Sequence, residues 1–382
     1  MSQEPERRKV EAGAKILATI FVCLLPLSLL AQSGRKTQNP QKPTENKADL
    51  RIETREVRLP IRAYNNVGKS ITDLAPKDVV IIEDGTARQT TSVKLEPANI
   101  LLVLDLSNEI GTFKNGESDR TNIYSDDKGY EKGEWGDMIP RKSTAILPQP
   151  AAREFAYNFV NTLAETDRLA IIQYSDKVQL LQDWTNDHKQ AREALASKFR
   201  IGIKSTFHDA LALAAKKMNE CESGRRVVVL LSDGFDSASK TTRNKSLDAL
   251  MKSEASIFVV SWTELLRSEI IKTMQWYGAH EKQDNRNYKR QGELRAFLHQ
   301  LDGKETELKS LAELTGGEFY LPTRFRIFLQ QPADILRDIG SQYTLTYLTE
   351  REFVDTSFRS VQVIAARSGM TVKARQRRYS SD

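Results

Sequence analysis

Asn99-Ile-Leu-Leu-Val-Leu-Asp105 is an unbroken apolar run that ends in a carboxylate. A strand that is apolar at every position has no face to give to water, so it belongs inside a parallel sheet covered on both sides. Its C-terminal end then marks the edge where open α/β sheets bind ligands, and Asp105 stands on that edge.

The segments that follow alternate in kind. Residues 151–164 and 188–199 carry helical periodicity, with strands at 168–174 and 178–181 between them. Helices over 207–218 and 243–254 flank strands at 226–231 and 256–261. A helix over 307–315 ends at Gly316-Gly317, a fitting C-cap, before a last strand at 318–321. This pattern predicts an α/β fold, a doubly wound, mostly parallel sheet.

Both ends of the chain read differently. Val57-Arg-Leu59-Pro-Ile61-Arg-Ala63 alternates with period two, and further strands are expected at 78–83 and 89–95. So few strands bury too little surface to stand alone. The alternating Tyr343, Leu345, Tyr347, then Val361, Val363, Ala365, then Val372 and Ala374 supply partners, so the two ends are expected to meet in an Ig-like sandwich of about seven strands. The expected division is 1–31 leader, 32–49 flexible linker, 50–97 N-terminal strands, 98–340 α/β domain, and 341–382 C-terminal strands. Insertions at 110–148 and 263–305 leave strand C-terminal ends, which places them on the face that carries Asp105.

Arg7, Arg8, Lys9 and Lys15 precede an apolar run from Ile16 to Ala31, the layout of a secretory signal peptide. That run is shorter than the ~20 residues that span hydrocarbon, and an uncleaved membrane anchor is the alternative. The expected location is periplasmic or secreted. With Cys23 inside the leader, Cys221 remains alone in the mature chain and no intrachain disulfide forms. The 382 residues, 39% hydrophobic and 28% charged, exclude a disordered, collagen-like or multispanning chain. A net charge of +6 spread along the chain gives little support to nucleic-acid binding.

Three loops carry the chemistry: Val103-Leu-Asp105-Leu-Ser107-Asn-Glu109, Ser205-Thr206-Phe-His-Asp209-Ala-Leu, and Val229-Leu-Leu-Ser-Asp233-Gly234. In order and spacing they resemble the metal-ion-dependent adhesion site (MIDAS) of von Willebrand factor A-type domains. Asp73 to Gly85, Leu311 to Gly317 and Ser341 to Tyr347 extend the likeness to the secreted acidobacterial von Willebrand factor A-related proteins, over roughly residues 50 to 380. The resemblance implies one divalent cation, Mg2+ or else Ca2+ or Mn2+. Ser107 and one of Ser205 or Thr206 would ligate directly, and Asp105 and Asp233 largely through water. The family threonine falls on Ser205; either hydroxyl can serve, with a slight preference for Thr206. Glu109 replaces a second serine, adding negative charge that should tighten the metal while blunting its pull on an outside carboxylate.

Hard divalent cations seek about six oxygens, and hydroxyls with second-shell carboxylates leave the ion electrophilic toward an acidic group of a partner. The expected partner is an extracellular or envelope protein, bound through an acidic side chain; no nucleic acid is expected, and a membrane only if the leader stays uncleaved. The sequence lacks phosphate-binding, dinucleotide, nucleophile-elbow and zinc-helix motifs, so the expected role is adhesion rather than catalysis. A metal-free structural element of an envelope assembly is the alternative, and a metal-dependent hydrolase a third reading. His208 reads as a packing residue, Cys221 as inert in an acidic setting, and the arginine-rich end as a charged edge strand.

Overall fold

The computed structural model describes residues 53–107, 130–132, 138–140, 148–279, 285–351 and 357–379. The expected leader, the linker, Glu109 and nearly all of the 110–148 insertion lie outside the described residues.

The chain begins with β1 (Glu53–Asn65), β2 (Val79–Glu83), β3 (Thr86–Arg88) and β4 (Thr90–Lys94). It enters the α/β domain through β5 (Ala98–Asp105) and the short antiparallel pair β6 (Tyr130–Lys132) and β7 (Met138–Pro140). Then come α1 (Pro148–Thr162), β8 (Arg168–Tyr174), β9 (Val178–Thr185), α2 (His188–Lys198), α3 (Phe207–Asn219), β10 (Arg225–Leu231), α4 (Arg243–Lys252) and β11 (Ser256–Val260). The domain closes with α5 (Thr263–Ala279), α6 (Asn285–Leu314), β12 (Phe319–Tyr320) and α7 (Phe325–Gly340). The last strands are β13 (Tyr343–Arg351), β14 (Phe358–Ala365), β15 (Met370–Ala374) and β16 (Arg377–Tyr379).

The central sheet has the order β12-β11-β10-β5-β8-β9. Its strands run parallel except β9, which pairs antiparallel with β8. From β5 the chain steps to β8 on one side and later returns to β10 on the other, so the strand order reverses between β5 and β10. A crevice at such a reversal is the ligand position of open α/β sheets.

The wholly apolar run of β5 is explained by its two faces. Ile100, Leu102 and Leu104 join a core with α1, α2, α5 and α7, while Leu101 and Val103 join a second core with α3 and α4. β10 divides in the same way, Val227, Val229 and Leu231 to one side and Val228 and Leu230 to the other. Each such side chain contributes about 1.5–3 kcal/mol on burial, so these two strands hold the sheet in place.

Helix boundaries follow local chemistry. Asp187 accepts from Lys189 N at 2.8 Å and Gln190 N at 3.3 Å, which starts α2 at His188. Gly316, at φ +73°, and Gly317 close α6, with Gly317 N donating to Ala312 O at 3.0 Å. Two expectations need correction here. The helix foreseen at 307–315 is the last part of the 30-residue α6, so the second insertion has no boundary at 305. Nothing was foreseen for α7, which buries Phe328, Ile335 and Ile339 and carries Pro332 within it. Proline removes a backbone donor and reads as a helix stop, which hides this segment.

The two ends of the chain do pair. β1 lies between β13 and β15, with β4 beyond β13, and a second antiparallel sheet runs β16-β14-β2-β3. Leu59 and Ile61 of β1, Ile81 of β2, Leu345 and Tyr347 of β13 and Val361 of β14 share one buried cluster. Inside it, buried Glu83 on β2 accepts from Tyr347 Oη at 3.0 Å, Arg378 Nε at 2.7 Å and the Thr349 hydroxyl.

Arginines fasten these sheets to the α/β domain. Fully buried Arg62 on β1 donates to Gly317 O at 2.5 Å and to Glu318 at 3.1 Å. Arg375 donates to Ala255 O at 2.6 Å and Met251 O at 3.2 Å, and burial lowers its pKa to about 10. The arginine-rich end is thus more than a charged edge: Arg375 and Arg378 point inward because carbonyls and a carboxylate await them. Among the described residues, no helix is long and apolar enough to cross a membrane.

Candidate functional site

β5 ends on Asp105, whose register partner on β8 is Tyr174. Asp105 is fully buried, and its Oδ1 accepts from Ser107 N at 2.9 Å and Ser107 Oγ at 2.7 Å. The chain therefore turns at once after the strand and brings Ser107 back against the carboxylate. Oδ2 accepts from Tyr174 Oη at 2.8 Å.

The third loop leaves β10 beside it. Ser232 Oγ lies 2.7 Å from Tyr174 Oη and accepts from Gly234 N at 2.9 Å. Asp233 is 4% exposed; its Oδ1 accepts from Phe235 N at 3.0 Å and its Oδ2 from Trp262 Nε1 at 3.3 Å. Gly234 needs to be glycine, with φ +80° and a Cβ position only 3.2 Å from Leu308 of α6. Phe235 stacks on Phe297 of the same helix at 5.3 Å, so α6 packs against this loop.

The two candidate hydroxyls of the second loop diverge. Ser205 Oγ donates to Phe235 O at 2.8 Å, and Ser205 O accepts from Ser237 N and Ala238 N, which binds it to the Asp233 loop. Thr206 sits at the N-cap of α3 and turns its hydroxyl to Ser175 O at 2.9 Å, after β8. Asp105, Ser107 and Asp233 thus meet at the sheet edge with Ser205 against the third loop, while the Thr206 hydroxyl is committed elsewhere. Glu109 lies outside the described residues.

Burial raises the pKa of Asp105 well above the carboxylate range, and the charge of Asp233 pushes it further. Burial raises Asp233 too, opposed by its hydrogen bonds and by the Lys304 ammonium on α6. The Tyr174 phenol is driven far up by burial and by both carboxylates. Two carboxylates in one dry place repel each other, and a bound cation would reverse that logic. Carboxylate and hydroxyl oxygens are the donors a hard divalent ion takes. Among the described residues, no group of three or more His, Cys, Asp or Glu is placed to hold a metal. What the described residues do bring together is two carboxylates with the Ser107 hydroxyl beside one of them.

Residues 146–302 match the von Willebrand factor type A domain. The match begins at the end of the first insertion, so Ser205, Thr206 and Asp233 fall inside it and Asp105 and Ser107 precede it. The parallel sheet and its helices are a von Willebrand A-type α/β fold. Among solved structures, the conserved hypothetical protein BatB of Bacteroides thetaiotaomicron is similar at 15% identity and TM-score 0.30, over 43% of this chain and 66% of that one. A von Willebrand factor type A protein of Catenulispora acidiphila is similar at 11% identity and TM-score 0.40, over 84% and 72%. A proximal thread matrix protein of the mussel byssus with a zinc-occupied MIDAS motif is similar at 14% and 0.39, over 68% and 50%. No curated protein sequence matches the chain.

His208 behaves as a packing residue: its ring sits edge-on to Phe207 at 5.2 Å, its Nδ1 lies 3.1 Å from Ser246 Oγ, and burial lowers its pKa. The Cys221 thiol is buried and its pKa raised, but burial is the main cause and acidic Glu220 a lesser one. Sequence reasoning missed Tyr174, Ser232, Trp262 and Lys304. A hydroxyl on the last residue of β8, beyond its apolar stretch 169–172, was the available signal.

Proposed function

We propose that this chain is an adhesion-type binding module of the envelope or extracellular space. It holds one divalent cation, Mg2+ or a similar ion, with Asp105, Ser107, Ser205 and Asp233, and offers it to an acidic group of a protein partner. The supporting observation is the meeting of two buried carboxylates and Ser107 at the reversal of strand order. When bound, the ion supplies electrophilic attraction for an anionic oxygen. The residues do the rest: Asp105 orients Ser107, the Asp233 loop holds Ser205, and burial excludes competing water. Ser205 is preferred to Thr206 because its hydroxyl faces the Asp233 loop.

The sequence supports the remaining parts of the reading: the signal-like 1–31 segment for export, likeness to the acidobacterial group, and an Ig-like arrangement of the two end sheets. The metal-free reading has one observation in its favour, since all four oxygens of Asp105 and Asp233 already accept a protein hydrogen bond. Calorimetric titration with Mg2+ and Mn2+, followed by capture from envelope extract with Mg2+ or with chelator, separates the two. Metal uptake and chelator-sensitive capture support the first; no uptake, with capture indifferent to chelator, supports the second.

A further inference from the structure

Tyr174 reaches from β8 past the end of β5 to the loop after β10, three strands adjacent in the sheet. The directions of its hydrogen bonds follow from the partners. Asp105 Oδ2 can only accept while ionised, so the phenol donates to it, and Ser232 Oγ must then donate to the phenol oxygen. Ser232 Oγ in turn accepts from Gly234 N. The result is a one-way chain from Gly234 N–H through Ser232 and Tyr174 to Asp105. Chains of this kind polarise each link and strengthen it in a dry interior. With Oδ2 held by Tyr174 and Oδ1 by Ser107, rotation of the Asp105 carboxylate is blocked from both sides. Packing alone asks only for a ring here, because Tyr174 is fully buried against Phe207 at 6.1 Å. A buried hydroxyl without partners would be destabilising, so its value lies in the chain it completes.

We propose that Tyr174 is a positioning residue, joining the Asp233 loop to Asp105 and setting the Asp105 carboxylate for a bound divalent cation. This rests on the metal-binding reading above. Groups behind metal ligands typically change affinity ~10–100-fold when removed. Tyr174→Phe keeps the ring and deletes the chain, so Mn2+ affinity of the whole mature chain should fall about 10-fold or more, with far-UV circular dichroism unchanged. Ser232→Ala cuts the same chain one link earlier. It should weaken Mn2+ to a similar extent, and the double variant should be little worse than either single, whereas independent sites would add. Ser232→Thr, which keeps the hydroxyl, should restore most of the affinity. Wild-type affinity in Tyr174→Phe overturns the positioning role while leaving the metal site standing. Absence of Mn2+ binding in the wild type overturns both. Should Tyr174→Phe fail to fold, Ser232→Ala decides by the same criterion.

Discussion

Replacing Glu83 by glutamine tests what joins the two ends of the chain. The carboxylate is 1% exposed and accepts from Tyr347, Thr349 and Arg378, with Arg88 Nε at 3.5 Å. Burial by itself raises its pKa, but those hydrogen bonds and the Arg378 charge outweigh burial and leave it below the usual range. Removing one partner of a buried ion pair costs about 3–5 kcal/mol, because the other charge stays buried without compensation. Glutamine keeps the shape and one acceptor, so the loss expected in urea unfolding at pH 7 is ~3 kcal/mol, near the lower limit. The pH dependence has a fixed sign. A depressed carboxylate contributes fully above its unfolded pKa of about 4.3, and the contribution is lost as pH falls through the lower native pKa. Wild type should therefore lose stability in that acid window, and Glu83→Gln should lose less. Replacing both Glu83 and Arg378 by apolar residues should recover much of the loss. A deficit under about 1 kcal/mol in Glu83→Gln, with an unchanged acid limb, would refute the argument.

Gly317→Ala should strongly reduce folded yield, because its Cβ would stand 1.9 Å from Ile257 O; a wild-type melting curve would contradict that packing. The Cys221 thiol should react slowly with a disulfide reagent at pH 7.5 and rapidly in denaturant, since it is 3% exposed with a raised pKa. Glu109→Ser should weaken Mg2+ binding in calorimetry if the extra carboxylate serves the metal, and tighter binding in the variant would sink that reading.

The sheet was legible because the parts of a strand buried on both faces must be apolar, as residues 100–104 of β5 and 227–231 of β10 are. The joining of the ends was legible because strands too few to fold alone demanded partners. The missed parts depend on facts a linear pattern does not carry. Pro332 interrupts the pattern of α7, yet the helix tolerates it because Phe328 and Ile335 still reach the core. Arg375 looks like surface charge until Ala255 and Met251 present their carbonyls to it. Asp105, Ser107 and Asp233 could be named from the resemblance of their loops to a MIDAS, whereas Tyr174 offered only a hydroxyl at a strand end, because its contacts arise from register across three strands. The proposed preference for Ser205 over Thr206 rests on where each hydroxyl points, one to Phe235 O and the other to Ser175 O, which a linear pattern does not carry.

Pairing of the chain's ends has a consequence for biosynthesis. Tyr347 and Glu83 are 264 positions apart, and β1 waits still longer for β13, with Ile61 pairing with Tyr343 and Glu53 with Arg351. At roughly 5–20 residues per second, β1 leaves the ribosome on the order of 15–60 s before its partner exists. Through that interval it is an unpaired edge with alternating apolar residues, open to other chains. A chain of this design gains from being kept unfolded until it is complete, and delivery across a membrane in the unfolded state would meet that need.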